Sequence, residues 1–107
     1  MSYRAWLPAR ALPGQRAALA RAFIERGVLE ECRATVPGFV RGELLLSDSD
    51  PDLVCVSVEW TDRQAFLDWQ ASPVRAAQGP ALMQWLSAVA ASELFRTEHA
   101  IERDVGR

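Results

Sequence analysis

The sequence has no lysine: all twelve of its basic residues are arginine. Without lysine there is no amine for Schiff-base or pyridoxal-phosphate chemistry and no phosphate-binding lysine of a P-loop. Asparagine is also absent, and histidine occurs once, at His99. Cys32 and Cys55 are the two cysteines; they are expected on a helix and on a strand and read as two buried thiols rather than a disulfide or redox pair. No run of residues approaches the roughly 20 apolar positions that span a bilayer. The start, Met1-Ser2-Tyr3-Arg4-Ala5-Trp6, has no basic cap, apolar run and small-residue cleavage site. A cytoplasmic location and no membrane partner are therefore expected. A net charge of −2 and a pI near 5.3 supply no cationic surface for phosphate backbones, so no nucleic-acid partner is expected.

What is present is one domain's worth of chain. Half of the 107 residues are apolar, enough for one core and not two. The whole of 1–107 reads as a single domain, with a core from about 3 to 101 and a short tail, 102–107.

The elements follow from periodicity and punctuation. Tyr3, Ala5 and Leu7 alternate with Arg4 and Trp6, as a strand with two distinct faces requires. Leu12-Pro13-Gly14 breaks it, and the alanine-, arginine- and glutamate-rich run from Gln15 to about Thr35 predicts a helix of about five turns, bent at Gly27. Pro37-Gly38 ends it. Phe39 to Leu46 reads as a second strand and Leu53 to Trp60 as a third, with Val54, Val56, Val58 and Trp60 on one face and Leu53, Cys55, Ser57 and Glu59 on the other. Between them, Ser47-Asp48-Ser49-Asp50-Pro51-Asp52 is a hairpin turn by composition. Its alternating aspartates superficially suggest a calcium loop, but Pro51 and the missing glycine and distal glutamate spoil that pattern, and no metal site is assigned.

Thr61-Asp62-Arg63-Gln64 reads as a capping box with Thr61 as the cap, opening a helix that buries Ala65, Phe66 and Trp69. Ser72-Pro73 is an N-cap and first-turn proline for a further helical piece, which Gly79-Pro80 should interrupt. Ala90 to Glu102 reads as a last strand carrying Phe95, Thr97, His99 and Ile101 on one face. The order β-α-β-β-α-β predicts an α+β, ferredoxin-like fold, a four-stranded antiparallel sheet with helices on one face. The sheet face turned away from the helices stays too apolar to remain wet, and a second copy of the chain, as a homodimer, is its natural cover.

Four signals resemble the antibiotic biosynthesis monooxygenase (ABM) family of the dimeric α+β barrel superfamily. They are Pro13-Gly14, Pro37-Gly38-Phe39, Asp50-Pro51, and Val58-Glu59-Trp60-Thr61-Asp62-Arg63-Gln64-Ala65-Phe66 leading to Ala71-Ser72-Pro73. The resemblance implies a dimeric α+β barrel and, in each subunit, a ligand cavity between sheet and helices. It further implies oxygenation of an aromatic polyketide or quinol without flavin, metal or haem, with molecular oxygen as co-substrate. Haem-degrading relatives share the fold, and Trp69 matches their haem-packing tryptophan. Their iron-ligating histidine would fall ten residues later, where this chain has Gly79, and their first-strand asparagine has no counterpart. Haem is disfavoured.

Imidazole is the side chain best suited to general-base work near neutral pH, and His99 is either that base or a structural residue of the last strand. Family members often carry a histidine where Trp69 stands, so no catalytic role transfers from that position. Trp60, Trp69, Phe66 and Trp85 are core aromatics or the walls of a pocket for a flat aromatic molecule. Arg41 and Ser57, in strands, either hold a phenol or carbonyl of that molecule or belong to a subunit interface. The function expected is a cofactor-independent monooxygenase acting on an anthrone- or quinol-type intermediate of secondary metabolism. The alternatives are a cyclase or isomerase of such intermediates, or a small-ligand-binding domain without catalysis.

Overall fold

A computed structural model describes residues 2–103; residues 104–107 of the expected tail lie outside the described residues. The chain forms β1 (Tyr3–Ala11), α1 (Arg16–Arg26), α2 (Val28–Thr35), β2 (Phe39–Leu46), β3 (Leu53–Trp60), α3 (Arg63–Ala71), α4 (Pro73–Met83), β4 (Leu86–Val89) and β5 (Glu93–Arg96). The sheet runs β2-β3-β1-β4, with β5 also on β1, and every pairing is antiparallel. This is the expected α+β, ferredoxin-like order, with each helical segment in two pieces and the last strand split. Among the described residues no helix is long and apolar enough to cross a membrane.

The long first helix is two helices because Gly27 sits at φ 70°, in the left-handed region, and its N–H caps the carbonyls of Phe23 and Ile24. Only glycine enters that conformation without a steric cost. The turn redirects the chain so that Leu19 and Phe23 of α1 and Val28 and Cys32 of α2 are buried, while Ile24 is left exposed.

β1 runs four residues past the expected end at Leu7, straight through Pro8. Pro8 accepts a bond from the Ala90 N–H, and in an antiparallel strand a residue's N–H and carbonyl face the same neighbour. The missing donor of Pro8 therefore falls on the β4/β5 edge, in the gap between β4, paired with Ala9 to Ala11, and β5, paired with Tyr3 to Trp6. The last strand is split at that gap, and His99 lies beyond β5, outside any strand, rather than on a strand face.

Two further expectations are corrected. The cap of α3 is Asp62, whose Oδ1 accepts the Ala65 N–H at 2.8 Å; Thr61 donates to Asp62 at 3.2 Å, and Gln64 turns to Asp68. A carboxylate is the better acceptor and also complements the positive end of the helix. Asp62→Ala is expected to cost about 1 kcal/mol, read in thermal unfolding as a midpoint lowered by about 4–8 °C. Gly79-Pro80 does not interrupt α4, which continues to Met83. One intrahelical bond is lost there. Gln78, two residues before Pro80, anchors the helix to α2, being 4% exposed and donating to the Val28 carbonyl at 3.2 Å and to Glu31 at 2.9 Å.

The hairpin turn is held by arginines. Arg16 donates to the carbonyls of Ser47, Asp50 and Leu53, and Arg10 pairs with Asp50 at 2.8 Å, which holds the Asp50 carboxyl below its usual range.

Candidate functional site: an apolar cavity between sheet and helices

The core forms two clusters. One gathers Ala5, Cys32, Val36, Val58, Trp60, Ala65, Phe66 and Trp69; the other is Ala11, Leu19 and Val54. A cavity of about 360 Å³ is walled by members of both, within the roughly 300–1,000 Å³ usual for small-molecule sites. Its floor is the inward row of the sheet, including Leu7, Leu44, Val54 and Val56, and its roof comes from all four helices. Strand alternation explains the floor: residues paired across β1, β3 and β2, such as Leu7 with Val56 and Leu44 with Val56, share one face.

On the roof, Arg75, Gln78, Gly79 and Leu82 of α4 all line the cavity, as their three- and four-residue spacing on one helical face requires. A Cβ built on Gly79 meets nothing within 4 Å, so that stretch of roof is open. Cys32 and Arg75 are the titratable residues of the lining among those described. Burial pushes the Cys32 thiol up to about 12, against a small opposing pull from the Arg75 guanidinium. Cys32 is thus a neutral, inert wall group at physiological pH. No group of three or more metal-ligating side chains occurs among the described residues.

Of the aromatic residues expected at a pocket, Trp69 lines this one. Trp60 is not among the lining residues: it is 1% exposed in the core, edge-on to Phe39 and Phe66 with centroids 6.1 and 6.5 Å away. Its indole N–H is buried without a partner. Phe66 packs in the same cluster, and Trp85 packs on the Ala11, Leu19 and Val54 cluster; neither is among the lining residues. Arg41 and Ser57 belong to the opposite face of the sheet, Arg41 exposed and paired with Glu43 at 2.7 Å, Ser57 buried across from Trp6. His99 is exposed, in a separate open depression with Arg4, Glu59 and Phe95. The structure therefore does not gather the sequence-derived residues into one site. The residues that sequence reasoning missed are Arg75 and Gln78, whose signal was their shared helical face with Leu82.

Comparison with known proteins fits this geometry. The model of the family described as antibiotic biosynthesis monooxygenase matches residues 9–78, a span from the end of β1 to the middle of α4. The chain belongs to that family. Among solved structures, the ABM chain resembles SnoaB, a cofactor-independent oxygenase from Streptomyces nogalater. The TM-score is 0.74 and the identity 22%, over 95% of this chain and 98% of that one. It resembles Rv0793 from Mycobacterium tuberculosis with TM-score 0.72 and 16% identity, over 95% and 100% of the two chains. A conserved protein from Methanosarcina mazei Go1 gives 0.74 and 14%, over 92% and 94%. At these identities the likeness establishes the shared fold. No curated protein matches the ABM chain.

Proposed function

We propose that this ABM protein is a cofactor-independent monooxygenase that oxidises a flat aromatic intermediate of the anthrone or quinol type in secondary metabolism. The observation that carries this reading is the cavity: apolar, closed on the sheet side, of small-molecule size, and walled by Trp69. The oxygenase activity named for SnoaB, on the same fold, supports it.

The chemistry resides in the substrate. An anthrone that also carries an acidic enol ionises in solution, and its anion is electron-rich enough to reduce oxygen directly: its methylene carbon gains one oxygen atom as a carbonyl, and the other leaves as water with the two methylene hydrogens. The substrate is the reductant, so the reaction balances without flavin or metal. What the protein contributes is orientation, a dry wall and exclusion of competing reactions. Trp69 provides a flat face for stacking, whereas His99, outside the lining, has no part in this reading.

Oxygen uptake measured on anthrone and naphthacenone analogues, with flavin and metal excluded, tests the proposal. Equimolar oxygen consumption and carbonyl product are expected. No uptake with several such substrates overturns it, and conversion that proceeds equally well without air assigns a cyclase or isomerase instead.

The reading includes a cytoplasmic homodimer of single-domain subunits. The sheet face away from the helices exposes Trp6 and Phe95, 5.4 Å apart, and Leu45, a patch that a second copy covers. Trp6→Glu is expected to shift the protein from dimer to monomer in sedimentation at micromolar concentration. A monomeric parent protein would remove the dimer from the proposal.

A further inference from the structure

We propose that Arg75 is the anion receptor of the cavity, and that the ligand enters it already ionised, as a planar oxyanion such as an enolised 1,3-dicarbonyl fused to an aromatic ring. This rests on the cavity being the substrate site.

Arg75 is the one charged residue lining the cavity among those described. The ion pairs among the described residues engage Arg4, Arg10, Arg26, Arg41 and Arg96, and Arg75 takes part in none. Glu31 approaches the same helical face, where Gln78 donates a hydrogen bond to it. That carboxylate is already engaged by Arg26 at 3.1 Å and by the Gln78 amide at 2.9 Å. Arg75 also stands in the first turn of α4, which has no acidic residue, so the positive end of the helix adds to its charge rather than offsetting it. A half-buried arginine in the wall of an apolar cavity, in none of the ion pairs among the described residues, is matched by a planar anion that accepts two parallel hydrogen bonds.

The lining also limits how that anion arises. It contains no carboxylate, histidine or tyrosine among the described residues, and its one thiol stays protonated. With no base in the wall, a phenol of ordinary acidity, near pKa 10, stays neutral at physiological pH and gains little from Arg75. A vinylogous acid ionises in solution and brings its charge with it. The cavity thereby selects acidic polycyclic substrates over neutral ones of the same shape.

Calorimetric titration at neutral pH with 2-hydroxy-1,4-naphthoquinone, an ionised vinylogous acid, and its neutral 2-methoxy analogue tests this. The hydroxy compound is expected to bind at least about tenfold more tightly to the parent protein, a charge-assisted pair being the stronger one. That preference should fall to about twofold or less in Arg75→Met and in Arg75→Gln, and survive in part in Arg75→Lys, with unchanged thermal midpoints. A 2-naphthoate arm distinguishes a carboxylate-selective site from an enolate-selective one; tighter binding of the carboxylate would overturn the enolate class. The proposal fails if neither quinone binds, if the parent shows no preference, or if Arg75→Met and Arg75→Gln keep it. It also fails if binding persists in Gly79→Leu, whose side chain occupies the roof. Oxygen uptake is read separately: anion preference without uptake defeats the monooxygenase reading alone, and uptake without preference defeats this one alone.

Discussion

Gly79→Leu is expected to abolish ligand uptake while leaving the fold intact. Gly79 lines the cavity, has helical backbone geometry rather than positive φ, and carries open space where a side chain would go. Leucine there adds four side-chain carbons to a wall that shares the cavity with Leu7, Val56 and Leu82. Two backbone effects oppose each other. Replacing glycine inside a helix gains up to about 1 kcal/mol, and Pro80, next in sequence, disfavours the helical region for any preceding residue with a Cβ. The net change in stability is therefore within about 1 kcal/mol, below the typical mutational cost in a core. Binding should weaken by more than about tenfold, or 1.4 kcal/mol, checked by titration alongside urea unfolding. A variant that binds as well as the parent would place the ligand elsewhere.

Trp60→Ala is the most damaging single substitution for stability. The side chain is 1% exposed, sits between β3 and α3, and makes edge-to-face contacts with Phe39 and Phe66. Removing a buried tryptophan costs about 3–5 kcal/mol, against a total stability of about 5–15 kcal/mol for a domain. The urea midpoint should fall by about a fifth or more of its value. Trp60→Phe should cost markedly less, because it also removes the indole N–H, which has no partner; an orphaned buried donor carries a penalty of about 1–3 kcal/mol. A phenylalanine variant as unstable as the alanine one would show that ring shape, not the orphaned donor, sets the energetics at this position.

The hairpin was legible to the residue. β2 and β3 end where Pro37-Gly38, the acidic turn and Thr61-Asp62 stop them, because turn chemistry acts locally and needs no partner. The last third was less legible, for physical reasons. Gly79 and Pro80 are breakers by propensity, yet α4 continues because Gln78 is bonded to α2, a contact no local pattern reveals. The split between β4 and β5 depends on which edge the missing donor of Pro8 faces, and that is set by sheet order. Trp69 lines the cavity, but Trp60, Phe66 and Trp85 share its composition signal and differ only in depth and direction. Arg75 carries no local signal that separates it from a surface arginine, because its place in the cavity wall is set by how α4 packs on the sheet.

The gap at Pro8 divides one edge of the sheet into two independently opening pieces. β1 is joined to β3 by an unbroken register from Tyr3 to Arg10, but to its other side by two four-residue strands. In amide hydrogen exchange the β1–β3 bonds should open only with global unfolding, while those to β4 and to β5 exchange as two separate groups with lower and unequal protection. The central ribbon then serves as the durable part of the molecule, and the chain beyond α4 as its first to fray.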